Sequence, residues 1–160
     1  MRKRLRAKMT ETVSKKISEG KTVLIVEDEV LLRELESTIL QESGYHVLEA
    51  ESGRKALDVW DAEGDKIDLL LTDVMLPRGI SGLELARRLY NRRPRLKIIF
   101  TTGRITREAD EKMMGRMKAR LLQKPYDHGA LVQLVNDAMA EGDGKVAAEA
   151  ADPEFTESSL

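Results

Sequence analysis

From Lys21 onward, short apolar runs alternate with longer stretches of helical periodicity. Val23–Val26, Leu69–Thr72, Lys97–Thr101 and Arg120–Gln123 read as strands, and His46–Ala50 as a shorter, weaker one. Between them the spacing predicts helices. Val30 to Ser43 carries Leu31, Leu35 and Ile39 on one face, with Gly44 as its C-terminal cap. A second helix opens at Ser52 and runs through Leu57 and Trp60. A third starts at Ser81-Gly82, turns Leu83, Ala86, Leu89 and Tyr90 inward, and ends before Pro94. Residues 106–118 stack Ala109, Met113 and Met117 at i, i+4. Asp127 can cap a last helix that buries Leu131, Leu134, Val135 and Ala138.

Five strands separated by helix-length stretches imply right-handed crossovers and an α/β fold, a parallel sheet with helices on both faces. Unbroken runs such as Leu69-Leu70-Leu71 agree, because strands covered on both faces need not alternate. In such sheets ligands bind beyond the carboxyl ends of the strands. Several chemically capable side chains stand at those exits: Glu27-Asp28 after the first strand, Asp73 after the third, Thr101-Thr102 after the fourth and Lys124 after the fifth. Taken singly, each has a plainer explanation. An Asp or Glu after a strand is usually a turn or helix-capping residue, and Lys124-Pro125 could be only a turn. Four exits of one sheet edge presenting complementary groups is a different observation, and it points to one site.

Composition narrows the chemistry. The chain has 160 residues, 41% hydrophobic and 34% charged, with a net charge of −1. That fits one domain with tails and gives no bulk affinity for nucleic acid or anionic membrane. Cysteine is absent, which excludes disulfides and thiolate metal sites and suits a reducing interior. No apolar stretch approaches the ~20 residues of a membrane span, nor is there a signal-peptide core, so the expected location is cytoplasmic. Three carboxylates (Glu27, Asp28, Asp73) placed together repel and invite a divalent cation and an amine. With oxygen donors only, the cation is a hard one, Mg²⁺ or Mn²⁺. His46 and His128 lie away from the strand exits and read as structural or surface residues.

A carboxylate nucleophile, a hydroxyl, a lysine and a hard cation suit phosphoryl transfer, where catalysis is mostly positioning and charge neutralisation. A Walker loop is excluded, since Lys21-Thr22 lacks the preceding glycines. Aspartyl phosphatases usually place a second Asp two positions after the nucleophile, and here that residue is Met75.

Across residues 21–140 the chain resembles the receiver domain of two-component response regulators. The resemblance is carried by Val-Glu-Asp at 26–28, Thr-Asp-Val-Met-Leu-Pro at 72–77, Phe-Thr-Thr-Gly at 100–103 and Gln-Lys-Pro at 123–125. It implies a flavodoxin-like sheet of strand order 2-1-3-4-5. It further implies that Asp73 accepts a phosphoryl group from a phosphohistidine on a histidine kinase or phosphotransfer protein. Asp28, Asp73 and the backbone carbonyl of Met75 would ligate Mg²⁺, and Glu27 would act through a bound water. Thr102, chosen over Thr101 because Gly103 follows it, would donate to the phosphoryl group; Lys124 would pair with it across a cis Lys124-Pro125 bond. The family's aromatic switch position on the fifth strand matches Leu121, so Tyr126 is the remaining aromatic candidate, read as packing against the last helix. Bulky Met75 is expected to hinder hydrolysis of the acyl phosphate. The Met113, Met114, Met117 group reads as core.

Both ends look like appendages. Residues 1–20 carry seven Lys/Arg against two Glu, and 141–160 carry six acids against Lys145. The first is expected to be a frayed basic arm, with an amphipathic helix through Leu5, Met9, Val13 and Ile17 as the alternative. The second has the composition of a disordered tail, too short for a DNA-reading output domain. The expected function is a stand-alone phosphoacceptor that signals by protein contact or relays phosphate, rather than a metabolic enzyme. The rivals are a phosphorylation-independent interaction module and a metal-dependent phosphohydrolase.

Overall fold

The computed structural model of the chain describes residues 2–141, so the acidic segment lies almost wholly outside the described residues. Five strands form one sheet: β1 (Thr22–Val26), β2 (His46–Ala50), β3 (Leu69–Asp73), β4 (Lys97–Thr102) and β5 (Arg120–Gln123). All neighbours pair in parallel, in the order β2-β1-β3-β4-β5. Alternation of side chains along each strand explains the unbroken apolar runs. Val23, Ile25, Leu69, Leu71 and Ile99 face one layer of helices, while Leu24, Val26, Leu70, Ile98 and Phe100 face the other.

The helices are α1 (Arg2–Ser18), α2 (Val30–Glu42), α3 (Gly53–Glu63), α4 (Gly82–Arg92), α5 (Glu108–Arg116) and α6 (His128–Ala140). Ser52 and Asp127 cap α3 and α6 as expected, and Ser81 caps α4, each accepting from the backbone N–H three residues on. The first core is closed by Ala56 of α3, Leu85, Ala86 and Leu89 of α4, and Met114 of α5 with Met117 just beyond it. The second is closed by Ile39 and Leu40 of α2 and by Leu131, Val135 and Ala138 of α6. Met114 and Met117 are buried, in keeping with a core role. Among the described residues no helix is long and apolar enough to cross a membrane.

Three expectations change. The helix expected over 106–118 is shorter, because Met117 is its C-cap and Lys118 turns at φ 53. The stripe Leu31, Leu35, Ile39 does not enter the core as a unit: Leu31 is 76% exposed and Leu35 56%, while Ile39 is buried. Steps of four residues advance ~40° around a helix of 3.6 residues per turn, so the stripe rotates off the buried face. The face that is buried carries Glu36, Ser37, Ile39 and Leu40.

The third concerns the basic arm, which is helical over Arg2–Ser18 rather than frayed. Leu5, Met9 and Val13 stay exposed, and among the described residues of the helix burial begins in its last turn. There Ser18 is buried against Gly44, α1 meets α6, and Lys21 N–H donates to the Ser18 carbonyl at 3.0 Å.

Candidate functional site

Parallel pairing in register brings the strand exits to one edge. Val26 stands beside Thr72, Asp73 beside Thr101, and Thr102 beside Gln123. Backbone bonds carry the ladder past the strand ends: Glu27 N–H donates to the Ala50 carbonyl (3.2 Å), Val74 N–H to Thr101 (3.0 Å) and Lys124 N–H to Thr102 (2.8 Å). The residues after the strands are therefore held by the sheet itself.

Lys124 organises the cluster. Its Nζ donates to Asp73 Oδ2 at 2.7 Å and to Glu27 Oε2 at 3.1 Å, joining β5 to β3 and β1 across β4. Glu27 is only 2% exposed. Burial raises its pKa, opposed by the Glu29 N–H that donates to Oε1 at 3.2 Å and by Lys124. Burial also works against the charge of Lys124, but the hydrogen bond and charge of Asp73, with those of Glu27, outweigh it, and its pKa is raised. The ammonium is thus fixed in its charged form beside a half-buried Asp73 carboxylate.

The other oxygen of that carboxylate, Oδ1, accepts from Met75 N–H at 3.0 Å, which places the exposed Met75 side chain at the rim. Thr102 is buried; its hydroxyl donates to the Arg104 carbonyl (3.1 Å) and accepts from Arg104 N–H (3.2 Å), so in this state it closes its own turn. Asp28 is exposed beside the cluster. Among the described residues no three acidic or histidine side chains converge closely enough to hold a metal ion. Lys124 draws two of the three carboxylates to itself. The Lys124-Pro125 bond is cis. Neither His46 nor His128 belongs to the cluster, and Leu121 is exposed on β5.

Three contributors were not visible in the motifs. Gly82 opens α4 directly against the site strand: a Cβ there would lie 1.6 Å from the Asp73 carbonyl oxygen. Its position after a capping Ser was legible, but the close approach was not. Arg33 of α2 donates to the Glu27 carbonyl at 2.7 Å and lies 3.7 Å from Glu49. Glu36 is buried on the same helix and accepts a hydrogen bond from the Tyr126 hydroxyl. Tyr126 therefore reaches to α2, not only to the last helix as expected.

Residues 23–136 match the response regulator receiver domain. The chain belongs to that family. This receiver is 34% identical over 117 residues to the response regulator receiver protein CpdR of Brucella abortus, covering 73% of this chain and 92% of CpdR. It is 32% identical over 127 residues to the sensor kinase CckA of the same organism, covering 79% of this chain but only 13% of that much longer protein. Two further relatives are likewise matched over a minor part, 27% and 29% of their lengths. The CheY-like receiver domain protein from Methanospirillum hungatei superposes with a TM-score of 0.68 at 26% identity, over 74% of this chain and 93% of that one. The chain is thus a receiver domain of the two-component type, and Asp73, Glu27 and Lys124 occupy the sheet edge at which its motifs converge.

Proposed function

We propose that this receiver accepts a phosphoryl group on Asp73 from a phosphohistidine of a histidine kinase or histidine phosphotransfer protein. The observation that carries the reading is the Lys124 ammonium held 2.7 Å from Asp73 Oδ2, at the edge where β4 delivers Thr102. In the transfer an Asp73 oxygen bonds to phosphorus as the donor's phosphorus–nitrogen bond breaks; the imidazole keeps the electron pair and takes up a proton. Lys124 is already charged and offsets the phosphoryl oxygens without reorganising the backbone. The Thr102 hydroxyl is the second donor once it turns from the Arg104 carbonyl.

The oxygen-only donor set fits Mg²⁺, which takes one or two carboxylates and keeps several waters, so it needs no three-carboxylate cage. Asp28, Asp73 and the Met75 backbone carbonyl would hold it, with Glu27 acting through a water; Mn²⁺ suits the same donors. When bound, the ion supplies further neutralisation of phosphoryl charge.

Similarity to the receiver protein CpdR over 92% of that protein is in keeping with a receiver that signals by protein contact or relays phosphate. The absence of cysteine suits a reducing interior, in keeping with a cytoplasmic location. Incubation with acetyl phosphate and Mg²⁺ is expected to add one phosphoryl group, located at Asp73 by mass spectrometry and lost in Asp73→Asn or with chelator. Labelling elsewhere, or none, overturns the reading and leaves an interaction module. In Met75→Asn the label decays several-fold faster; an unchanged decay removes the shielding role of Met75.

A further inference from the structure

Glu36 lies outside the strand-exit cluster, yet it faces the cluster from α2. It is 1% exposed, accepts from the Tyr126 hydroxyl, and makes no ion pair among the described residues. Tyr126 stands two residues beyond Lys124, across the cis Pro125. Glu36, Lys124 and Tyr126 line one cleft between α2 and the start of α6, which gives the carboxyl a route to solvent protons.

We propose that Glu36 is a proton-binding site coupled to Asp73 phosphorylation, with Tyr126 as its positioning residue: when Glu36 is neutral, the pocket accepts the phosphoryl group more readily. This rests on the reading of Asp73 as phosphoacceptor and adds a regulator to that same site.

The surroundings support it. Burial pushes the Glu36 carboxyl up to about 7; the Tyr126 hydrogen bond opposes that rise, and the charges of Glu27 and Asp73 add to it while Lys124 offsets part. From β1 it faces Glu27, from β3 Asp73, and from the β5 exit Lys124 and Tyr126. Asp127 and His128 of the α6 start lie on the cleft rim, with Glu42 further along α2. Arg33, one turn earlier, is committed to the Glu27 carbonyl and Glu49. Because negative charge at Asp73 favours the proton on Glu36, the larger negative charge of an acyl phosphate favours it more. Linkage then requires the converse, that protonating Glu36 favours the phosphorylated state.

The test measures acetyl phosphate labelling of Asp73 with Mg²⁺ at pH 6 and pH 8, in the full chain and in Glu36→Gln, Glu36→Met, Tyr126→Phe and His128→Gln. Ratios to the wild type cancel the pH dependence of the donor. Glu36→Gln keeps an acceptor for Tyr126 without charge. It is expected to match the wild type at pH 6 and to exceed it roughly two- to fivefold at pH 8. Glu36→Met lacks the wild-type inflection too. Tyr126→Phe, deprived of the bond that lowers the Glu36 pKa, moves the inflection to higher pH. His128→Gln, which removes an imidazole from the same rim, leaves the profile unchanged. If Asp73 is labelled but Glu36→Gln and Glu36→Met keep the wild-type pH profile, this inference is wrong and the phosphoacceptor reading stands. If no protein is labelled at either pH, both fail.

Discussion

Glu27 and Glu36 are equally hidden, at 2% and 1% exposure, yet their environments differ in kind. Glu27 has an ammonium at 3.1 Å and a backbone N–H at 3.2 Å; Glu36 has a phenol. Both carboxyls are raised by burial, and Glu36, without a cation beside it, reaches about 7. Glu84 completes the contrast on the opposite side of the sheet. The hydrogen bond from Arg87 outweighs its partial burial and, helped by Arg88, holds it down to about 2. The partner, rather than burial alone, decides whether a carboxylate serves as a fixed charge or as a proton-binding site.

The largest expected effect comes from turning the first case into the second. Lys124→Met leaves Glu27 buried with no cation and Asp73 without its 2.7 Å partner. It is expected to destabilise the fold by about 3 kcal/mol at neutral pH, read from urea unfolding, with the loss shrinking on acidification as Glu27 takes up a proton.

The opposite change is stabilising. Glu36→Met removes the uncompensated carboxyl and is expected to gain about 2 kcal/mol at pH 8. The sign follows from the raised pKa. Below the usual 4.5 both folded and unfolded chains hold the Glu36 proton. Between 4.5 and about 7 only the folded chain holds it, so the Glu36 contribution to stability falls as pH rises through that window and levels off above it. A variant no more stable than wild type at pH 8, with the same slope across the window, would show that Glu36 is not the group titrating.

The smallest effect is expected at Glu84, whose side chain is a third exposed. Its pKa is lowered, so its contribution is present above 4.5 and lost as pH falls toward 2. Glu84→Gln should therefore cost under about 1 kcal/mol at pH 7, after allowance for solvent screening, and nothing near pH 2. A cost that persists at pH 2 would point to the lost capping geometry with Ser81, whose hydroxyl accepts from Glu84 N–H, instead of the charge.

Much of this arrangement is legible in the sequence. Buried parallel strands announce themselves as apolar runs, and a charged residue ending such a run, as at Glu27, Asp73 and Lys124, stands out against it. The rest was hidden for physical reasons. Within Arg33-Glu34-Leu35-Glu36, both glutamates look solvent-facing, and only the rotation of α2 buries one and exposes the leucine between them. Spacing along the chain does not show that Gly82 touches the Asp73 carbonyl, because that contact is made across a loop. The basic arm has too little apolar periodicity to separate helix from coil, and its helix is anchored by a contact at Gly44 in another part of the chain.

That anchor has a mechanical consequence. Gly44 turns at φ 98, and a Cβ there would meet Ser18 Oγ at 2.5 Å, so the foot of α1 is wedged against the end of α2. From that end α2 runs nine residues, ~14 Å, back from Glu42 to Arg33, which donates to the Glu27 carbonyl. The foot of the basic arm is thus joined to the acidic edge by a stiff helix instead of a slack tether.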